Sequence, residues 1–197
     1  MRDSREFPTT VKDALLQMLA AQSESLVAHL ERGAELATNT ALRLGLSPSE
    51  VALTRLGAEL HDVGKIGIPT AILDKPGALD AEEEWFVQRH SEIGERLLAA
   101  SVDMQAVAPI VRAVHERPDG QGYPDGLRLE EIPASSRIIA VVDAYLSMIT
   151  DRPYQPAVSI EAALVELRRH SGTQFDPAVV DVFEAVLADT DATERAA

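Results

Sequence analysis

The chain has five histidines, 32 carboxylate side chains and no cysteine, so disulfides, thiolate metal sites and cysteine nucleophiles are all excluded. Any metal must sit on His, Asp or Glu. His61 and Asp62 are adjacent near the end of an apolar segment and lead into Val63-Gly64-Lys65-Ile66-Gly67-Ile68-Pro69. Such a pair can offer a nitrogen ligand beside a carboxylate able to bridge two metals, with Lys65 aiming a cation at a bound phosphate. Taken alone it reads better as a helix end with His61 hydrogen-bonded and Asp62 in solvent. His29, His90 and His115 each fall on or at the end of a predicted helix, where a single histidine is more often structural than a ligand. Asp143 is the sharper signal, because it lies in Arg137-Ile138-Ile139-Ala140-Val141-Val142-Asp143-Ala144. An ionised carboxylate in an apolar helix is costly unless paired or metal-bound. His170 suits the negative end of a helix dipole, and Glu82-Glu83-Glu84 suits a solvated first turn; neither is assigned a function.

The elements that must position these residues read as helices. Apolar periodicity predicts them at 10–21, 24–44, 48–63, 80–88, 91–100, 104–115, 134–149, 159–170 and 177–188. Ser47-Pro48-Ser49-Glu50 supplies a cap, a first-turn proline and a capping-box glutamate, Asp80 with Glu83 repeats the box, and Asp176-Pro177 gives another start. With 46% apolar but only 4% aromatic residues, the core is expected to be built from Leu, Ala, Val and Ile in an all-α fold. The one long irregular stretch, 116 to 133, holds Pro118, Gly120, Gly122, Pro124 and Gly126, and a loop of that length in a compact domain is usually functional. The expected organisation is an N-terminal helical extension over 1–23, one domain over 24–188 and a frayed tail over 189–197.

A net charge of −14, from 18 basic and 32 acidic residues, repels polyanions and argues against duplex nucleic acid or an anionic membrane as a partner. A small phosphate ligand would need metal ions or a few placed cations. No apolar run reaches the length of a membrane span and no signal-peptide core follows Met1, so a cytoplasmic location is expected.

Taken in order, His29, His61-Asp62-Val63-Gly64-Lys65-Ile66-Gly67-Ile68-Pro69, Lys75-Pro76-Gly77, Arg89-His90-Ser91-Glu92-Ile93-Gly94 and His115-Glu116-Arg117-Pro118-Asp119-Gly120-Gln121-Gly122-Tyr123-Pro124-Asp125-Gly126-Leu127 resemble the HD-GYP family. Ile132-Pro133, Arg137-Ile138, Asp143, Asp151-Arg152-Pro153-Tyr154 and Gly172-Thr173-Gln174-Phe175-Asp176-Pro177 extend the resemblance, which covers residues 26 to 183.

The resemblance implies an HD-domain helical bundle with a long GYP loop and a central metal site. His29, His61, Asp62 and Asp143 would hold one metal, His90 and His115 would help hold a second, and Asp62 would bridge. The implied cofactor is a binuclear iron or manganese centre acting on the phosphodiester of cyclic di-GMP, with a metal-bridging water or hydroxide as the in-line nucleophile, giving linear pGpG and then GMP. Asp62 and Lys65 are thus the implied catalytic residues; Lys65 and Arg152 would contact phosphate, and Tyr123 would shape the guanine side of the pocket. An acidic chain needs both cations to hold a dinucleotide dianion. Tyr123 reads equally as an aromatic that packs the loop. The GYP loop is also a candidate surface for a signalling protein partner.

Two positions depart from the family pattern. Val114 stands where an imidazole usually precedes His115, which weakens the second metal site, and Ser25 replaces a glutamate associated with a third metal. Three functions stay open on the sequence: a cyclic di-GMP phosphodiesterase, a degenerate domain that binds cyclic di-GMP or a protein with little hydrolysis, and a phosphohydrolase for another cyclic dinucleotide such as cyclic GMP-AMP.

Overall fold

A computed structural model describes residues 10–22, 24–73, 75–151 and 156–196. Among the described residues ten α-helices follow one another: α1 (Val11–Gln22), α2 (Glu24–Arg43), α3 (Pro48–Leu60), α4 (Thr70–Leu73), α5 (Ala81–Gln88), α6 (His90–Ala99), α7 (Ala108–Arg112), α8 (Ala134–Ile149), α9 (Ile160–Arg169) and α10 (Pro177–Ala196). Single 3₁₀ turns occupy Val63–Gly67, Val102–Met104 and Leu129–Glu131. Among the described residues there is no sheet, only the isolated bridges Asp119–Arg128 and Ser171–Phe175. The all-α bundle expected from the sequence is what forms.

The predicted start signals act as local chemistry requires. Ser47 caps α3 and Asp80 caps α5, each with a reciprocal glutamate three residues on, so orphan amide groups are satisfied at both helix starts. Between α2 and α3 the chain reverses at Gly45, whose φ of 77° lets the Leu46 N–H reach the Ala41 carbonyl at 3.1 Å. The result is an antiparallel pair, α2 and α3, with α8 laid across both. Helix α8 is the apolar centre: Ile138, Ile139, Val141, Val142, Tyr145 and Leu146 are all buried, and α2, α3, α7, α9 and α10 pack around it. Leu19 of α1 is fully buried in the same core as Leu30 and Leu36, so α1 packs with the bundle. The buried Glu59 pairs with Lys12 of α1 and, at 3.2 Å, with Arg55, and Arg137 of α8 grips Asp176 at the start of α10 at 2.5 Å.

Some boundaries differ from expectation for identifiable reasons. The helix expected over 104–115 is a 3₁₀ turn followed by the short α7, because Pro109 supplies no amide hydrogen and confines the helix to starting beside it. His115 therefore lies beyond the helix, in the turn that opens the long loop. Helix α3 stops at Leu60 rather than 63, and the chain tightens into the 3₁₀ turn that carries Lys65. Helix α4, after Pro69, was not expected. The last helix runs from Pro177 to Ala196, beyond the 188 expected. No helix among the described residues is long and apolar enough to cross a membrane.

Candidate metal centre

His61 and Asp62 sit where α3 unwinds. His61 keeps helical angles, and its Nδ1–H donates to the Ala58 carbonyl one turn back at 2.9 Å, which leaves Nε2 facing inward. That Nε2 is buried with no hydrogen-bond partner. Asp62 follows at φ −91° and ψ 1°, and the 3₁₀ turn after it returns the Lys65 ammonium to the Asp62 carboxylate at 2.7 Å. Gly64 makes the turn fit: a Cβ there would lie 1.8 Å from the His90 carbonyl oxygen and 2.6 Å from the Gly94 nitrogen. The HD turn is thereby pressed against the N-terminus of α6, which carries His90.

His90 repeats the device. Its Nδ1–H donates to the Val87 carbonyl at 2.7 Å, and its Nε2 lies 3.0 Å from His115 Nε2 and 3.9 Å from an Asp62 oxygen. Ligand atoms of Asp62, His90 and His115 all lie within 4.8 Å of one another. On the other side of Asp62, His61 Nε2 is 3.8 Å from the Asp62 carboxylate and 3.7 Å from Asp143 Oδ1, which also sits 3.2 Å from His29 Nε2. The structure thus brings His29, His61, Asp62, His90, His115, Asp143 and Lys65 into one cluster from α2, α3, α6, α8 and two turns. Tyr123 joins its edge, stacked on the His115 ring at 5.1 Å and 19°. Arg152 lies outside the described residues, and Val114 is buried in the apolar core with 1% of its surface exposed.

Electrostatics follow from this packing. Burial pushes the His61 imidazole down, but the Asp62 and Asp143 carboxylates outweigh it and raise it to about 9. Burial alone would push the Asp62 carboxyl up, yet Lys65 and His61 hold it well below the usual carboxylate range. Asp143 is lowered in the same way, by its hydrogen bond to His29 and by the nearby His61 imidazole, which together overcome its burial. Burial lowers His90, and burial with the neighbouring His90 lowers His115 to about 3. Burial likewise pushes the Tyr123 phenol up.

These residues fit a divalent cation. Neutral His90, with its Nδ1 hydrogen on Val87, presents a bare lone pair at Nε2, and the two Nε2 atoms 3.0 Å apart face each other with at most one hydrogen between them. His61 Nε2, which has no hydrogen-bond partner among the described residues, stands beside two ionised carboxylates and could exchange its proton for a metal ion. Imidazole and carboxylate without thiolate suit iron, manganese or zinc. The carbonyl anchors at Ala58 and Val87, which fix both histidine tautomers, are invisible in a list of side chains. Glu116 was passed over as well. It is a buried carboxylate whose partners are backbone amides, and only its place beside His115 in the loop hinted at a role.

Comparison with known proteins agrees. Residues 13–179 match the HD domain family. The cyclic di-GMP phosphodiesterase response regulator RpfG of Xanthomonas campestris is 45% identical over 156 residues, covering 78% of this chain and 41% of that protein. A 3'3'-cGAMP-specific phosphodiesterase of Vibrio cholerae is 36% identical over 184 residues, covering 92% of this chain and 35% of that one. The chain therefore spans less than half the length of either relative. Bd1817, an HDG"Y"P protein from Bdellovibrio bacteriovorus, superposes with a TM-score of 0.66 at 21% identity over 90% of this chain and 61% of its own, and shows the shared fold. From the ordered motifs, the clustered His and Asp side chains and these matches together, the chain belongs to the HD domain family, within its HD-GYP group.

Proposed function

We propose that this chain is a metal-dependent phosphodiesterase that hydrolyses cyclic di-GMP to linear pGpG and on to GMP. One observation carries the reading: five ligand-type side chains gather about Asp62, with a lysine at its carboxylate and an aromatic ring at the rim. His29, His61, Asp62 and Asp143 would hold one ion and Asp62, His90 and His115 a second, with iron or manganese as the metals. Bound ions supply Lewis acidity at the phosphodiester and lower the pKa of water. The protein's own part is to present His90 and His115 as neutral imidazoles, give up the His61 proton when an ion binds, and place cations where the phosphates arrive. Lys65 neutralises Asp62 in the free protein. With an ion bound at Asp62, the Lys65 ammonium would be available to a phosphate oxygen. Arg152 is assigned the second phosphate, which a chain of net charge −14 would otherwise repel. Tyr123, held flat against His115, offers its open face to a guanine.

The second site has no imidazole from position 114, so it binds its ion more weakly than the first. Residues 24–188 constitute the catalytic module, working in the cytoplasm where cyclic dinucleotide signals act; a signalling protein docking on the GYP loop is part of the same proposal. The kinship with a cGAMP-specific phosphodiesterase favours cyclic GMP-AMP as a second substrate.

The test is chromatographic analysis of cyclic di-GMP and cyclic GMP-AMP incubated with iron- or manganese-reconstituted protein. Appearance of pGpG and GMP supports the proposal. Tight binding of cyclic di-GMP with two metals present and no turnover would make the chain a binding module instead.

A further inference from the structure

Glu116 follows His115 in the chain and is 3% exposed, and among the described residues no lysine, arginine or histidine pairs with it. Its charge is met by the loop itself: Oε1 accepts the Asp125 N–H at 2.6 Å and Oε2 the Leu127 N–H at 2.9 Å. Gly126, between them, has φ 68°, a left-handed turn that allows both amides to face one carboxylate. An outer brace reinforces the grip. The Asp125 carboxylate takes Arg112 of α7 in two hydrogen bonds of 2.7 and 2.8 Å, and the same guanidinium reaches Glu95 of α6 at 2.6 Å.

The clamp lays the loop onto the residues that follow the histidine. The Tyr123 N–H donates to the His115 carbonyl at 3.2 Å, and a Cβ on Gly122 would lie 2.4 Å from the Arg117 nitrogen and 2.6 Å from the His115 carbonyl oxygen. That close approach puts the Tyr123 ring on the His115 imidazole. His115 is thus packed against both His90 and the clamped tyrosine, whose rings are themselves 6.4 Å apart.

We propose that Glu116 is a positioning residue for the dinucleotide, clamping the Tyr123 loop over His115 so that the aromatic face stands ready for a base before substrate arrives. The proposal rests on the phosphodiesterase reading above. It assigns Glu116 to substrate affinity and not to metal retention, because its oxygens are turned to the Asp125 and Leu127 amides and it stands outside the group formed by Asp62, His90 and His115.

Glu116→Gln tests it, since the amide turns one acceptor into a donor facing an N–H and holds only one of the two loop amides. In manganese-loaded protein, KM for cyclic di-GMP should rise about tenfold, the effect of one charge-assisted hydrogen bond, with kcat little changed. Metal content should stay at the parent value, and NMR hydrogen exchange should show lost protection at the Asp125 or Leu127 amide. Glu116→Asp, which keeps the charge on a shorter arm, should fall between the two. Should Glu116→Gln not fold, Arg112→Met removes the outer brace from the surface and should raise KM by a smaller factor. An unchanged KM with the amide freed overturns the proposal, as does loss of metal with a fallen kcat and constant KM. Parent protein that neither binds nor turns over cyclic di-GMP would instead overturn the functional reading, while the exchange measurement still reports on the clamp.

Discussion

Metal binding at neutral pH should expel a proton from His61. In the metal-free protein this imidazole titrates at about 9, because two carboxylates outweigh its burial, so at pH 7 about 99% of it is protonated. Its Nδ1 hydrogen is fixed on the Ala58 carbonyl, so the proton that must leave is the one on Nε2, the nitrogen facing Asp62 and Asp143. His90, lowered by burial, and His115, lowered to about 3, are neutral at that pH and release nothing. The sign follows directly. Affinity at the His61 site should climb about tenfold per pH unit up to pH 9 and then level, a gain of about 100-fold between pH 6 and 8. The metal-free fold should respond oppositely. His61 is raised above its unfolded value of 6.5, so its contribution to stability is full below that pH and is lost as pH rises through about 9. Calorimetric titration of manganese into the apoprotein at pH 7, in PIPES, HEPES and Tris, measures the release through the buffers' differing ionisation enthalpies. Close to one proton from the tighter site is the expected result. Zero release together with a pH-independent affinity would refute the assignment of His61 as a ligand that ionises on binding.

Asp62→Ala should strip manganese more completely than any single histidine change, to below about a tenth of the parent content, since one carboxylate serves both ion positions; plasma mass spectrometry checks this, with circular dichroism to confirm retained helix. Lys65→Ala should leave metal content intact but weaken cyclic di-GMP binding about tenfold, read by calorimetry, and an unchanged Kd would remove Lys65 from the phosphate site. Gly64→Ala should destabilise the fold by about 1–3 kcal/mol and lower metal affinity, because its Cβ meets the His90 carbonyl oxygen at 1.8 Å and backbone cannot swing aside; urea unfolding with parallel manganese analysis decides it.

Much of this was legible in the residue order. Ser47-Pro48 and Asp80-Ala81-Glu82-Glu83 announce helix starts because capping is local chemistry, and both helices begin as the sequence indicates. Asp143 stood out because a carboxylate inside Ile138–Leu146 must be compensated from outside its own helix; the compensation comes from His29, 114 residues away, and from His61. Tertiary determinants were hidden. Pro109 breaks a segment whose apolar pattern reads as continuous, and the loss of helix there frees His115 to turn toward His90. Gly64 and Gly122 look like ordinary loop glycines until the His90 carbonyl and the His115–Arg117 backbone are placed against them. Among the described residues Glu116 has no side-chain partner to co-locate, so a search for charge pairs passes it by.

The most direct test of the central claim is anomalous X-ray scattering from crystals of this chain grown with manganese. Two peaks are predicted, one within bonding distance of His29, His61, Asp62 and Asp143, and a weaker one shared by Asp62, His90 and His115. Manganese bound elsewhere, with no peak touching Asp62, would contradict it.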